Sequence, residues 1–222
     1  MSHMMNISKT GLHAFQYQLD TVANDVANVD TIGYKARQAD FESLLENNYS
    51  ASERLLFGDN VETVNIRGGS RAEDYTIDFS LGNVVASEGP HQYAIAGEGF
   101  FQVTAENGQV FYSRDGGFTV DMTGTSVINA RGERVTMAGG LPAVFQPAAA
   151  ESLMPAGENK YTATGAMEQT NAEVLVGFIE QSNVDLATAI TDMMIAQRAY
   201  AMNIKAAQST DEMMSGINQF KQ

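Results

Sequence analysis

Leu12, Phe15, Leu19, Val22, Val26 and Val29 recur at alternating steps of three and four, the seam of a coiled-coil helix. Near the other end, Ile190, Met193, Gln197, Tyr200, Ile204, Ala207, Asp211 and Met214 repeat the same rhythm. A stripe this narrow does not bury itself, so each helix needs a partner, and the nearest candidate is the opposite end of the same chain. Gln197 and Asp211 interrupt the second seam, as polar insertions that fix register and oligomer state do.

Between these ends the period changes. Ser8 reads as the cap of a first helix running to about Ala27, and the cluster Asn28-Val29-Asp30-Thr31-Ile32-Gly33-Tyr34 then favours a turn with a positive-φ position. Gln38 to Glu46 suits a short helical piece, followed by a loop over Glu46 to Glu53. Val61, Val64 and Ile66, then Tyr75, Ile77 and Phe79 alternating with Thr76, Asp78 and Ser80, predict strands with one buried face. Further short strands are expected at Tyr93 to Ile95, Phe100 to Val103, Val110 to Ser113, Phe118 to Val120 and Val127 to Ile128. Turns are expected at Glu106-Asn107-Gly108, Asp115-Gly116-Gly117 and Asp121 to Gly124. Ala138 to Gly157, holding Pro142, Pro147 and Pro155, reads as a surface connection, and Lys160 to Val174 has no clear period. Val176 to Ile179 reads as a short strand, after which Ser182 or Asn183 caps the last helix, with Asp185 in its first turn.

The expected fold class is α+β: N- and C-terminal helices pairing as a coiled coil, with a central antiparallel β domain. Residues 1–4, Met-Ser-His-Met, read as a cloning scar. Residues 5–35 and 182–222 form the helical domain, 36–60 a linker and 61–181 the β domain.

Composition removes several function classes. A formal charge of -14, from 27 acidic and 13 basic residues, opposes nucleic-acid binding. No apolar run reaches the roughly 20 residues of a membrane span, so no direct membrane insertion is expected, and no cleavable signal is evident. Without cysteine there are no disulfides, thiolate metal sites or cysteine nucleophiles. His13 and His91 have no ligand at metal spacing, so neither metal nor cofactor is expected. Gly97-Glu98-Gly99-Phe100-Phe101 lacks the third glycine of a nucleotide loop and leads into a strand, so it reads as a tight turn placing Phe100 or Phe101 in a core. Glu98, Glu106, Asp115 and Asp121 lie near glycine turns, where turn-forming acids are commoner than a glycosidase pair, and Arg114-Asp115 reads as a turn with a local ion pair.

Three separated blocks resemble the flagellar rod and hook family of bacterial axial proteins. The first is Thr10-Gly11-Leu12 with Leu19-Asp20 and the stretch Asn24 to Lys35, including the signature turn residues Asn24, Asn28, Gly33 and Tyr34. The second joins Asp78-Phe79-Ser80 and Asn83 to Ala94 through Val103, with Gly97, Gly99, Phe100 and Phe101, and to Tyr112 through Phe118. The third is Gly177 to Glu180, Ser182 to Asp185 and Gln197-Arg198-Ala199-Tyr200 with Asn203 and Lys205. Order and spacing match, and the last block is most like the distal rod branch, with proximal rod and hook-type proteins as alternatives. Arg134 to Lys160 departs from that branch by being shorter.

The resemblance implies terminal helices that pair and line a hollow tube, a β domain outside it, helical stacking of many copies and no catalytic activity. It also implies export through the flagellar type III apparatus without signal cleavage, and a place in the basal body among other rod and hook proteins. A soluble, non-polymerising partner of axial proteins and a wall-cleaving enzyme acting through Asp115 or Glu98 are the competing readings.

Overall fold

The structure, a computed structural model, describes residues 2–43, 70–121, 126–147, 153–170 and 172–220. Two long helices bracket a set of short antiparallel strands: α1 (Ser2–Ala27) opens the chain and α2 (Leu186–Phe220) ends it. The fold is α+β, as the sequence implies. The chain divides into two compact units. One comprises Met1–Asn24, Arg37–Thr76 and Ala187–Gln222, and the other Asp25–Ala36 and Ile77–Leu186.

In the helical unit, α1 starts at Ser2, upstream of Ser8, so Ser8 is an interior helical residue rather than the cap. Asn203 on α2 donates from Nδ2 to the Ser8 carbonyl at 3.2 Å. The same amide nitrogen would lie 2.5 Å from a Cβ at position 11, so Gly11 leaves room for this contact between the helices. The helical piece expected from Gln38 is a strand instead, β1 (Arg37–Ser43), paired with β2 (Ser70–Ile77). Tertiary pairing overrides local propensity here. Arg37 lies over the Tyr75 ring, 4.9 Å from its centroid. The expected strand at Val61 to Ile66 lies outside the described residues, as does the turn from Met122 to Gly124.

The β unit is built on β5 (Phe100–Thr104), which pairs with β6 (Val110–Ser113) on one side. On the other side it pairs with β12 (Val144–Pro147) near its start and β9 (Arg134–Val135) near its end. The sheet continues from β6 to β14 (Lys160–Ala163) and β13 (Leu153–Gly157), and from β9 to β8 (Val127–Ile128) and β7 (Thr119–Val120). β12 also pairs with β15 (Met167–Thr170). Separate two-stranded ladders join β4 (Tyr93–Ala96) to β16 (Glu173–Val176), and β3 (Val84–Ala86) to β17 (Phe178–Glu180). The hairpin of β10 (Met137–Ala138) and β11 (Leu141–Pro142) completes the set.

The Ala138–Gly157 region is therefore not a bare connection. Its prolines stand where a strand tolerates a missing donor: Pro142 and Pro147 at strand ends, and Pro155 at a register shift in the β13–β14 ladder.

Phe100 and Phe101 are both buried, at 4 % and 0 % exposure. Successive strand residues face opposite ways. Phe101 accordingly packs with Tyr93, Ile95, Val103, Phe118, Val135 and Val144, while Phe100 packs with Tyr112, Leu153 and Tyr161. Edge-to-face contacts fix both clusters: Phe101 with Phe118 at 5.3 Å, and Phe79 with Phe100 and Tyr161 at 5.5 and 5.4 Å between centroids. Gly99, at φ 136°, permits the entry to β5, and a Cβ there would lie 2.4 Å from Val144.

Candidate assembly site

Two features of the chain bear on assembly: the faces of the helices and the lock around the N-terminal turn. On α1, Leu12, Phe15, Leu19, Val22 and Val26 are half-buried, whereas Ala14, Thr21 and Asp25 are buried. On α2, Met193, Tyr200 and Ile204 are half-buried, but Ile190 is 44 % exposed and Gln197 is also exposed. Ala189 and Ala196, at 8 % and 0 %, are instead the buried positions among the described side chains of α2. A count of large apolar residues overlooks such small side chains.

Within this chain α2 keeps a second apolar side uncovered. Ile195, Met202 and Met213 are 57 %, 70 % and 56 % exposed. At about 100° per residue they lie roughly 120° around the helix from buried Ala189 and Ala196. A helix apolar on more than one side is normally covered on more than one side.

In the β unit, the signature turn is held by buried charge. The turn after α1 bonds to itself, Asn28 N–H donating to the Asp25 carbonyl at 3.1 Å and the Thr31 hydroxyl to Asn28 Oδ1 at 3.1 Å. Tyr34 donates from its hydroxyl to Asp25 Oδ1 at 2.7 Å. Asn24 is exposed. Gly33 has φ 65° and donates its N–H to the Glu180 carbonyl at 2.8 Å. A Cβ there would meet the Arg114 backbone at 2.4 Å, so this position has neither the conformation nor the space for another residue.

Lys35 follows, its side chain wholly buried. Its Nζ donates to Glu180 Oε1 at 2.6 Å and to the Ser80 carbonyl at 2.5 Å. Arg114 donates from Nη1 to Glu180 Oε2 at 3.1 Å and from Nη2 to the Gly97 carbonyl at 2.8 Å, its guanidinium 5.3 Å from the Phe100 centroid. The charge partner of Arg114 is thus Glu180, not the adjacent Asp115, which instead accepts the Gly117 N–H at 2.9 Å. Glu180 Oε1 also accepts from Gly82 N–H at 2.9 Å.

Burial pushes the Lys35 amine below its ordinary pKa, with the Glu180 carboxylate pulling the other way. Burial also lowers Arg114, again opposed by Glu180. Two cations thus face one carboxylate, and Asp78 beside Lys35 and Glu98 beside Arg114 add the balancing negative field.

Two amides extend the lock. Asn183, expected as a helix cap, accepts from Ala36 N–H at 2.7 Å and donates to the Asp78 carbonyl at 2.9 Å. That leaves Asp185 immediately before the first residue of α2, the cap position. Asn159, left-handed at φ 59° in the β13–β14 turn, donates to the Ile32 carbonyl at 3.0 Å.

Lys35, Arg114 and Glu180 each belong to a different one of the three signature blocks, so the lock is where those blocks meet. The one sequence hint was Glu180 closing the apolar run Val174–Ile179. Among the described residues no group of three or more His, Asp or Glu is placed to hold a metal ion.

Residues 5–35 match the family described as flagella basal body rod protein. Residues 94–153 match the flagellar hook protein FlgE/F/G D1 domain, and 175–220 match the flagellar basal body rod FlgEFG protein C-terminal family. A flagellar basal-body rod protein FlgG of Agrobacterium fabrum is 30% identical over 253 residues, covering 96% of this chain and 97% of the relative. The chain belongs to the flagellar basal-body rod family. FlgG of Bacillus subtilis is 26% identical over 96% of each chain, and the rod protein FlgF of Caulobacter vibrioides 28% over 88% of each. The 253-position alignment exceeds this chain's 222 residues, so this rod-family chain is aligned with gaps.

Proposed function

We propose that this chain is a structural subunit of the distal part of the flagellar rod. Its copies polymerise helically into the hollow shaft that transmits torque. The observation that carries the reading is the uncovered apolar side of α2, with Ile195, Met202 and Met213 exposed on a helix whose Ala189 and Ala196 are buried. That side suits a neighbouring copy, and a heterologous contact that does not close on itself yields a filament. Full-length similarity to proteins named as flagellar basal-body rod FlgG supports the same reading.

In this proposal the chain has no catalytic role and binds no cofactor. Its partners are copies of itself, other rod and hook proteins and the flagellar export apparatus, which delivers it beyond the cytoplasmic membrane without signal cleavage. The charge lock serves by fixing the turn that follows α1.

Quantitative mass spectrometry of hook–basal-body complexes from the source cell tests this. Tens of copies per complex are expected for a distal rod segment. A handful would assign a proximal junction, and absence of the chain would overturn the rod reading.

A further inference from the structure

If copies of this chain adjoin one another, as proposed above, each must approach a neighbour that also carries a charge of -14. Contacts between copies are then cheapest where no charged side chain has to be desolvated. The sequence holds such a stretch from Val135 to Ala150, without one Asp, Glu, Lys, Arg or His. Within it, β10 and β11 form a hairpin whose turn, Gly139-Gly140, has φ 62° and 88°, the geometry of a tight two-residue hairpin. Nothing lies within 4 Å of a Cβ built on either glycine, so the tip stands open. Met137 and Leu141 on its arms are 38 % and 39 % exposed, and Ala138 is exposed.

A contact that propagates needs a second, different surface. The β3–β17 ladder supplies one. Phe79 to Ser87 and Val174 to Ile179 are both free of charge, and the pairing sets exposed Phe178 opposite exposed Ala86. Leu81 is 52 % exposed at one end of this strip, and Val176, at 56 %, stands just before the Gly177 turn.

We propose that the β10–β11 hairpin of one copy seats on the β3–β17 strip of the next. A hairpin with two paired residues on each arm is a small contact against the roughly 800 Å² per partner of a stable interface, so it supplements the helix contact rather than replacing it.

Since the chain has no cysteine, disulfide capture reads this contact directly. Chains carrying Ala138→Cys and chains carrying Ala86→Cys are produced together in the source cell, and its hook–basal-body complexes are oxidised. Expected is a covalent dimer containing one of each, absent when either variant is present alone. Complexes that contain both chains but yield only monomer overturn the inference and leave the rod reading standing. Complexes lacking the wild-type chain overturn both. Leu141→Glu, at an exposed position, should lower incorporation about tenfold while leaving the chain folded by circular dichroism; unchanged incorporation argues against the contact.

Discussion

The helical unit and the β unit satisfy themselves to different degrees. In the β unit, two aromatic clusters and a buried ion triad close on residues of the same chain: Phe101 has no exposed surface, and both Lys35 and Glu180 are buried with named partners. In the helical unit, the buried apolar residues among those described are the small Ala14, Ala189 and Ala196, and large side chains such as Met202 face outward at 70 % exposure. The cores and the ion triad of the β unit are closed within the chain, whereas α2 leaves its largest apolar side chains exposed.

The sharpest break of this comparison is at Glu180. Glu180→Gln leaves two buried cations without their anion and should destabilise the β unit by about 3–5 kcal/mol, read by thermal or denaturant unfolding of the full chain. A loss under about 1 kcal/mol would show that the triad is not what holds the turn. Gly33→Ala comes next, at about 1–3 kcal/mol for the left-handed backbone alone, with the Arg114 clash in addition. Limited proteolysis should then show earlier cleavage within Asn28 to Lys35.

A helix change of similar chemistry should do less to the free subunit. Leu19→Ala removes a half-buried side chain and should cost about 1 kcal/mol in the isolated chain, yet impair assembly, scored as motility and rod length. Equal loss in free chain and assembly would erase the distinction between the units.

The smallest effect is one of pH. Burial raises the Asp115 pKa, so ionising it in the fold is penalised. Its contribution to stability is full below the unfolded value near 3.8 and is lost as pH rises through the folded value. Asp115→Asn should therefore be slightly more stable than wild type at pH 7, with the advantage gone at pH 3. Retained motility in that variant would also argue against a wall-cleaving role.

Much of the fold was legible in local pattern. The period-three-and-four stripes marked both helices, and the alternation that begins at Tyr75 and the glycine turns marked strands, because side-chain spacing follows backbone geometry. β2 nevertheless ends at Ile77, short of Phe79. Less legible were the strand Arg37–Ser43, where Gln38 to Glu46 reads as helical, and Val144–Pro147, lost among prolines and alanines, since both owe their strand state to pairing with distant residues.

By itself, then, the sequence determined that the chain begins and ends in helices needing partners, encloses an antiparallel β domain and carries three separated signature blocks. Only the tertiary structure decided that Lys35, Arg114 and Glu180 from those blocks share one buried site, and that alanines at 189 and 196 are the buried ones among the described residues of α2 while its larger apolar side chains stay exposed. The reason is physical: periodicity reports which way a side chain points from its own backbone, whereas burial and charge pairing depend on what a distant segment brings to meet it.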